Sequence, residues 1–500
     1  MKKTLSIIVA AAILLGSSAL FVFARPECDC GIAPLIVVSG FATVPLSLDG
    51  EQVFAPPVDR ILRGVAGVLP PLIKAGLTKD WDEFIDSAAP ALIDVFEPIL
   101  CDKNGDSIHS VSMQPFPLSI DNYPDFYNGD DVDEQAFVKT AMETIGGDHV
   151  YFFNYDWRLD PIDNARKLKD FADNVKSETN HSRLTLAGCS MGGTVIMSYL
   201  KLFGSSGIQN FLLDNAAFQG VALVGDLLAL DLEFEGEIAV RYTHQFVQND
   251  LLAWFLRATG LFDAVIPLVE TLYEGTRGRL GAEVLYPIFA HMPGMWSLVG
   301  HEQYERAKAA ALDSEINAEL IKKLDFYHYE VQQNAENLLK KAKKNGTNIM
   351  LTSNRGYYGI PITPSRYNNN DILIDTVNSS GGAVCAPLGQ PFADDYIQAV
   401  KCGHNHISPD RMIDASTCMF PEYTWFVNGM KHLDYPYGSE AAEFLMWLIQ
   451  AGKGEQRNIF SNEKYPQFMQ FDYGSGKLTP MAYADGGVFL EVINPATGGC

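Results

Sequence analysis

The stretch Arg183–Leu200, RLTLAGCSMGGTVIMSYL, joins an apolar run to a helix-like segment through a turn crowded with glycine. Leu184, Thr185, Leu186 and Ala187 read as a short strand, because a brief apolar run bounded by Gly suits a parallel sheet covered on both faces. Gly188-Cys189-Ser190-Met191-Gly192 then fits G-x-S-x-G, the nucleophile elbow, in which flanking glycines let strand and helix approach closely while the turn projects the Ser190 hydroxyl. After it, small Gly193 and the periodic Val195, Ile196, Tyr199 and Leu200 predict a helix packed on the sheet.

Working outward, 500 residues with 47% hydrophobic composition are enough for a large core, read here as one α/β domain with insertions spanning 31–500. A net charge of −24 excludes a nucleic-acid partner, since phosphate binding needs clustered Lys and Arg. Met1–Ala24 carries Lys2 and Lys3 ahead of an uncharged apolar stretch, which predicts an export signal or, because the stretch almost reaches bilayer length, an uncleaved N-terminal anchor. Export permits disulfides among Cys28, Cys30, Cys101, Cys385, Cys402, Cys418 and Cys500, with Cys189 reading as a free buried thiol. No cysteine spacing marks a zinc site, and Asp102–Asp106 has its glycine too early for a calcium loop, so neither metal nor cofactor is expected.

Pro34–Ser39, PLIVVS, predicts a buried strand ending at Gly40-Phe41-Ala42-Thr43. A loop after an early strand supplies one oxyanion-hole amide in hydrolases with an elbow serine, and the residue after the serine supplies the other. Phe41 and Met191 take those roles, with Gly40 lining the substrate side. Helical periodicity over about 54–100, including Trp81, Phe84, Ile85, Leu92 and Val95, predicts a first insertion. His149–Phe153 predicts a strand and Ile162–Val175 a helix, and the elbow strand follows, which is doubly wound order. Ile208–Asp214 is the next strand. A second insertion over about 215–347 carries Leu251, Leu252, Trp254, Phe255, Leu261 and Phe262, an apolar load suited to a lid over a greasy substrate or to a cap with its own core. Trp254 and Phe255 are its expected substrate contacts. The lysines at 340–344 complement a helix C-terminus and need no ligand.

YDWR at Tyr155–Arg158 ahead of the elbow, the NAAFQG turn after the next strand, and MPGMW at Met292–Trp296 together resemble the lecithin:cholesterol acyltransferase-like branch of the α/β-hydrolases. The similarity is an order of motifs over Leu35–His432, not close identity, and Cys189 stands where that family more often has His. The resemblance implies an α/β-hydrolase fold, a mostly parallel doubly wound sheet with a helical cap. It also implies that Asp156 and Arg158 form a structural ion pair bracing the loop beside the pocket.

A serine nucleophile needs an imidazole to take its proton and a carboxylate to fix the tautomer, in the chain order Ser, acid, His for this fold. His432 in GMKH, after the β-rich run Tyr423–Val427, fits the base. Asp410 in PDRMID is the first choice of acid, Asp371 or Asp375 in NNNDILIDTV the second, and Asp414 the third. His404 and His406 read as loop histidines. The expected activity is cleavage of a lipid-like carboxylic ester by an exported serine hydrolase acting at a membrane or lipid interface. An acyltransferase with the same triad, or a non-catalytic binding protein on the same fold, is the alternative, and oligomeric state is not legible.

Overall fold

Uninterrupted runs such as LIVV and VYFF carry no polar alternation, so as strands they are stable only when both faces are covered. The computed structural model describes residues 28–54, 67, 68, 70, 71, 73–75, 77, 78, 80–128, 134–247, 250–259 and 261–482. Met1–Ala24, expected to be an export signal or anchor, Cys500 and the first part of the earlier insertion, including Ile61, Leu62 and Val65, lie outside the described residues. No described helix is long and apolar enough to cross a membrane.

Among the described residues, eight strands form one sheet: β1 (Leu35–Val38), β2 (Val150–Phe153), β3 (Leu184–Cys189), β4 (Ile208–Asp214), β5 (Asn348–Arg355), β6 (Thr424–Asn428), β7 (Phe468–Asp472) and β8 (Lys477–Pro480). Their spatial order is β8-β7-β6-β5-β4-β3-β1-β2. All neighbours are parallel except β7 and β8, where Met469 faces Pro480. The parallel register is continuous, with Val38 opposite both Phe153 and Gly188, and Asn428 opposite Arg355. This is the α/β-hydrolase arrangement, in which the strands deliver their C-terminal ends to one edge.

The two faces are covered by different helices. Ile36 and Val38 join a core with α2 (Pro161–Thr179), α3 (Gly192–Phe203) and α4 (Ala335–Lys344), through Leu168, Val175, Val195, Tyr199 and Leu339. Leu35 and Val37 point the other way, onto Phe137 and Ala141 of α1 (Gln135–Ile145) and Phe444 and Leu448 of α5 (Glu440–Ile449). Alternation within an all-apolar strand thus assigns each residue to one of two cores. Local signals set the ends of α2: Pro161 occupies its first turn, the Asp160 carboxylate caps the Ile162 amide at 2.8 Å, and Asn180 closes it at φ 55°.

The two predicted insertions are not separate covers. Helix Trp81–Phe96 buries Trp81, Phe84, Ile85 and Ala88 against Val284 and Ile288 of the second insertion, with Leu272 and Leu280 alongside. Arg279 spans the same seam, paired with Asp82 at 3.1 Å, Glu283 at 2.7 Å and also Asp86. One cap is therefore built from two distant pieces of chain, with a small core of its own. Cys28, Cys30, Cys101, Cys189, Cys385 and Cys418 carry free thiols, and Cys402 is disulfide-bonded.

Candidate active site

The elbow forms because β3 runs straight into α3 with no room for side chains. A Cβ on Gly192 would lie 2.3 Å from the Val38 carbonyl oxygen, so only glycine lets the helix sit this close to β1. The turn forces Ser190 to φ 51°, an uncommon conformation for a non-glycine residue, and leaves it 8% exposed at the C-terminal edge of the sheet. Neighbouring Cys189 is buried, and burial pushes its thiol well above the ordinary range, which keeps it protonated and inert.

His432 lies on the loop leaving β6, and its Nε2 is 2.9 Å from Ser190 Oγ. Its Nδ1 is 2.7 Å from Asp371 Oδ2. The histidine is fixed a second time by its backbone, which donates to the Asp371 carbonyl at 2.9 Å. Asp371 is fully buried, and its other oxygen accepts the amides of Ile374 at 2.8 Å and Leu373 at 3.1 Å. A carboxylate held by two amides has one oxygen left to aim, and it aims at the imidazole. Strain marks this turn too, with Ile372 at φ 98°, an outlier for a β-branched residue.

Asp410, the first choice from sequence, is corrected by this geometry. Its carboxylate meets the buried Arg355 guanidinium at 2.8 Å and accepts the Ser408 hydroxyl at 2.6 Å. Arg355 also touches Met481 Sδ at 3.3 Å, next to β8, so Asp410 belongs to the lobe that packs towards the antiparallel edge. Asp414 is spent on the amides of Ser416 and Ala399 and the Tyr396 hydroxyl. Asp375 accepts the Ala222 amide at 2.8 Å and the Asn368 side chain at 2.7 Å, tying the acid loop to the base of the cap. Burial pushes its carboxyl up to about 6.

The turn after β1 lies against the nucleophile: a Cβ on Gly40 would sit 3.2 Å from Ser190 Cβ. The Gly40 amide itself donates to Glu134 Oε1 at 2.7 Å, and the Thr43 hydroxyl joins the same oxygen at 3.0 Å. Glu134, 2% exposed, therefore holds the turn, a role the sequence reading missed, because nothing local to Glu134 points to a partner so far along the chain. The YDWR segment braces the turn from the other side. Tyr155 donates to the Ser39 carbonyl at 3.0 Å, and Trp157 packs on Phe41 and Phe54 with ring centres 4.4 and 5.1 Å apart. Asp156 and Arg158 form a two-pronged pair at 2.6 and 2.9 Å, and the guanidinium also donates to the Ile99 carbonyl and Ser107 hydroxyl. The MPGMW turn closes onto this unit, with the Gly294 amide donating to the Arg158 carbonyl at 2.9 Å.

Beneath the histidine, Asp214 at the end of β4 accepts Thr352 Oγ1 at 2.5 Å, Tyr435 at 2.6 Å and Asn215 at 3.0 Å. Burial raises its carboxyl above the ordinary range, and these donors oppose that shift. The network clamps the His432 loop to the sheet through Tyr435. Trp254 is 63% exposed and lines an open groove with Arg241, His244, Tyr357 and Tyr358, not with Ser190. The Phe255 side chain lies outside the described residues.

No protein-family model and no curated protein matches the chain. Among solved structures, the crystal structure of the Tle4–Tli4 complex is similar at 11% identity and TM-score 0.32, covering 84% of this chain and 99% of that one.

Proposed function

We propose that the chain is an exported serine hydrolase that cleaves the carboxylic ester of a lipid-like substrate. The observation that carries this reading is the line Asp371–His432–Ser190, at 2.7 and 2.9 Å, ending on a serine held at φ 51°. A serine that merely completes a strand-to-helix turn needs no imidazole at its hydroxyl. Ser190 Oγ attacks the ester carbonyl as His432 Nε2 takes its proton, and Asp371 keeps the imidazole in the tautomer that can accept it. The oxyanion is received by the amides of Phe41 and Met191, since the Gly40 amide is committed to Glu134. The proton on His432 then goes to the leaving alcohol, and water hydrolyses the acyl-enzyme by the same path in reverse.

The apolar wall of Phe41, Phe54 and Trp157 supports a greasy acyl chain over a charged one. On the cap, Ile73, Leu77 and Trp254 are 58%, 82% and 63% exposed, which suits contact with a lipid surface. The motif order shared with the lecithin:cholesterol acyltransferase-like branch supports the same substrate class, and the Met1–Ala24 leader supports a location outside the cytoplasmic membrane. A fluorophosphonate probe should label the purified chain, and Ser190→Ala should abolish both labelling and turnover of acyl esters of graded length. Labelling that survives the substitution would sink the assignment of the nucleophile. Full-length soluble chain in the cytoplasmic fraction would overturn the location.

A further inference from the structure

At the opposite end of β3 from Ser190, four metal-ligating side chains from three separate parts of the chain converge. Cys30 Sγ is 3.2 Å from His181 Nε2 and 3.5 Å from His149 Nε2. The ligating atoms of Cys28, Cys30 and His181 all lie within 4.8 Å of one another. The backbone assembles them: the Cys28 amide donates to the Asn180 carbonyl at 2.9 Å, which places the cysteines beside the left-handed residue that ends α2 and starts the His181 turn. His149 immediately precedes β2, the outermost strand on that side of the sheet.

The spacing of Cys28, Cys30 and His181 fits a shared cation, and His149 reaches the same Cys30 sulfur from beside that group. With metal–sulfur bonds of about 2.3 Å and metal–nitrogen bonds of about 2.0–2.1 Å, a tetrahedral zinc site has sulfur–nitrogen edges of roughly 3.5 Å, close to the two measured here. The surroundings are also those of a ligand set. Asp148 Oδ1 lies 2.8 Å from His149 Nδ1, which fixes the tautomer that offers Nε2 as a lone pair. The Ile32 amide donates to Cys30 Sγ at 3.4 Å, a contact that orients the sulfur. The other described cluster, Cys402, His404 and His406, lacks this chemistry because Cys402 is disulfide-bonded.

We propose that Cys28, Cys30, His149 and His181 form a structural site for one zinc-class divalent cation. Two thiolates and two imidazoles favour a borderline-soft, tetrahedral ion over magnesium or calcium. Four protein ligands leave no open position for substrate, so the ion stabilises and does not catalyse. It ties the Cys28–Cys30 segment to the start of β2 and to the end of α2. Cys28 also stands just beyond Ala24, so the ion would pin a mature N-terminus if the leader is cleaved there.

The test is metal analysis of the purified chain after incubation with zinc chloride under reducing conditions and desalting. One zinc per chain is expected, and cobalt chloride should give a thiolate-to-cobalt charge-transfer band with the intense d–d absorption of a tetrahedral site. Cys30→Ser and His181→Ala should each weaken zinc binding by more than about 100-fold, beyond what changes outside the ligand shell produce. Cys385→Ser, at another free thiol, should bind as the wild type does. Chelation should lower the midpoint of thermal unfolding while leaving fluorophosphonate labelling intact at low temperature, which separates this proposal from the assignment of Ser190. Should either variant fold poorly, X-ray absorption on the wild type still counts two sulfur and two nitrogen neighbours. Absence of bound zinc in the wild type, retention in both variants, or a Cys28–Cys30 disulfide that persists under reductant would overturn the proposal.

Discussion

Two aspartates in the stretch between β5 and β6 end in opposite company. Asp371 is fully buried and points at an imidazole that touches a serine hydroxyl; Asp410, with 29% of its side chain exposed, points at a buried guanidinium. Both sit in tight turns flanked by a residue at positive φ, Ile372 in one case and Arg411 in the other. Their own neighbourhoods in sequence therefore resemble each other. What separates them is the side from which each turn arrives: the bridge between Tyr357 and Asn370 folds the first loop back beside the exit of β5, whereas the second meets Arg355, the last residue of β5, whose guanidinium also touches Met481. A carboxylate's role is set by what the sheet edge places opposite it.

The largest effect that bears on this comparison is on turnover. Asp371→Asn should lower kcat by about ten-thousandfold, because the amide holds the imidazole in the wrong tautomer. Asp410→Asn should cost less than about tenfold on the same ester, since it acts only through packing. Steady-state kinetics on one soluble ester decides between them. A reversed ranking would return the acid to the later loop.

A second effect separates Asp371 from Asp375, its neighbour in the same loop. Buried Asp375 titrates near 6 in the folded chain against an ordinary value of 3.8. Between those values the native state holds a proton that the unfolded chain has lost, so stability falls as pH rises through the window and levels off above it. The difference between 3.8 and about 6 corresponds to about 3 kcal/mol. Asp375→Asn should remove that slope, which urea denaturation from pH 4 to pH 7 would measure as the difference from the wild type. Its kcat should stay far above that of Asp371→Asn. A pH-independent difference would mean that the carboxyl is not shifted.

For Asp410 the expected loss is in stability. Removing one partner of a buried pair costs about 3–5 kcal/mol, but Asp410 is part exposed and water recovers some of that, so Asp410→Ala should lose about 2 kcal/mol. Thermal unfolding at pH 7 checks this. No change would show that Arg355 finds other acceptors.

These contrasts explain what was legible in the sequence. The elbow and His432 are local events: a G-x-S-x-G turn between a strand and a helix, and a histidine just past a β-rich run, carry their context within a few residues. The doubly wound sheet was legible for the same reason, as apolar runs alternate with helical periodicity along the chain. The aspartate that meets His432 was not, because the distance from β5 to β6 leaves two turn-forming loops that could each present one, and sequence does not say which one returns to the sheet edge. Joint construction of the cap was hidden likewise, since Trp81 and Val284 meet only in the fold. The Cys28, Cys30, His149 and His181 cluster was missed because spacing rules look for ligands in one short motif, and these come together only through the contact of Cys28 with the end of α2.

The smallest expected effect concerns the cap and tests whether it meets a lipid surface. Trp254 is largely exposed, so replacing it removes little packing and should leave stability within about 0.5 kcal/mol. If the helix Asp250–Thr259 docks on an aggregated substrate, the indole passes from water into an apolar layer, a transfer worth roughly 1.5–3 kcal/mol for a large side chain when complete. Part of that is already satisfied by the groove it lines with Tyr357 and Tyr358, so about 1.4 kcal/mol, or tenfold, is the reasonable scale for its loss. Trp254→Gln should therefore lower activity on emulsified ester about tenfold while kcat/KM on a short soluble ester stays unchanged, because the residue does not reach Ser190. Equal loss on both substrates would make Trp254 part of the catalytic pocket, and no loss on either would leave the cap as a cover with no part in lipid contact.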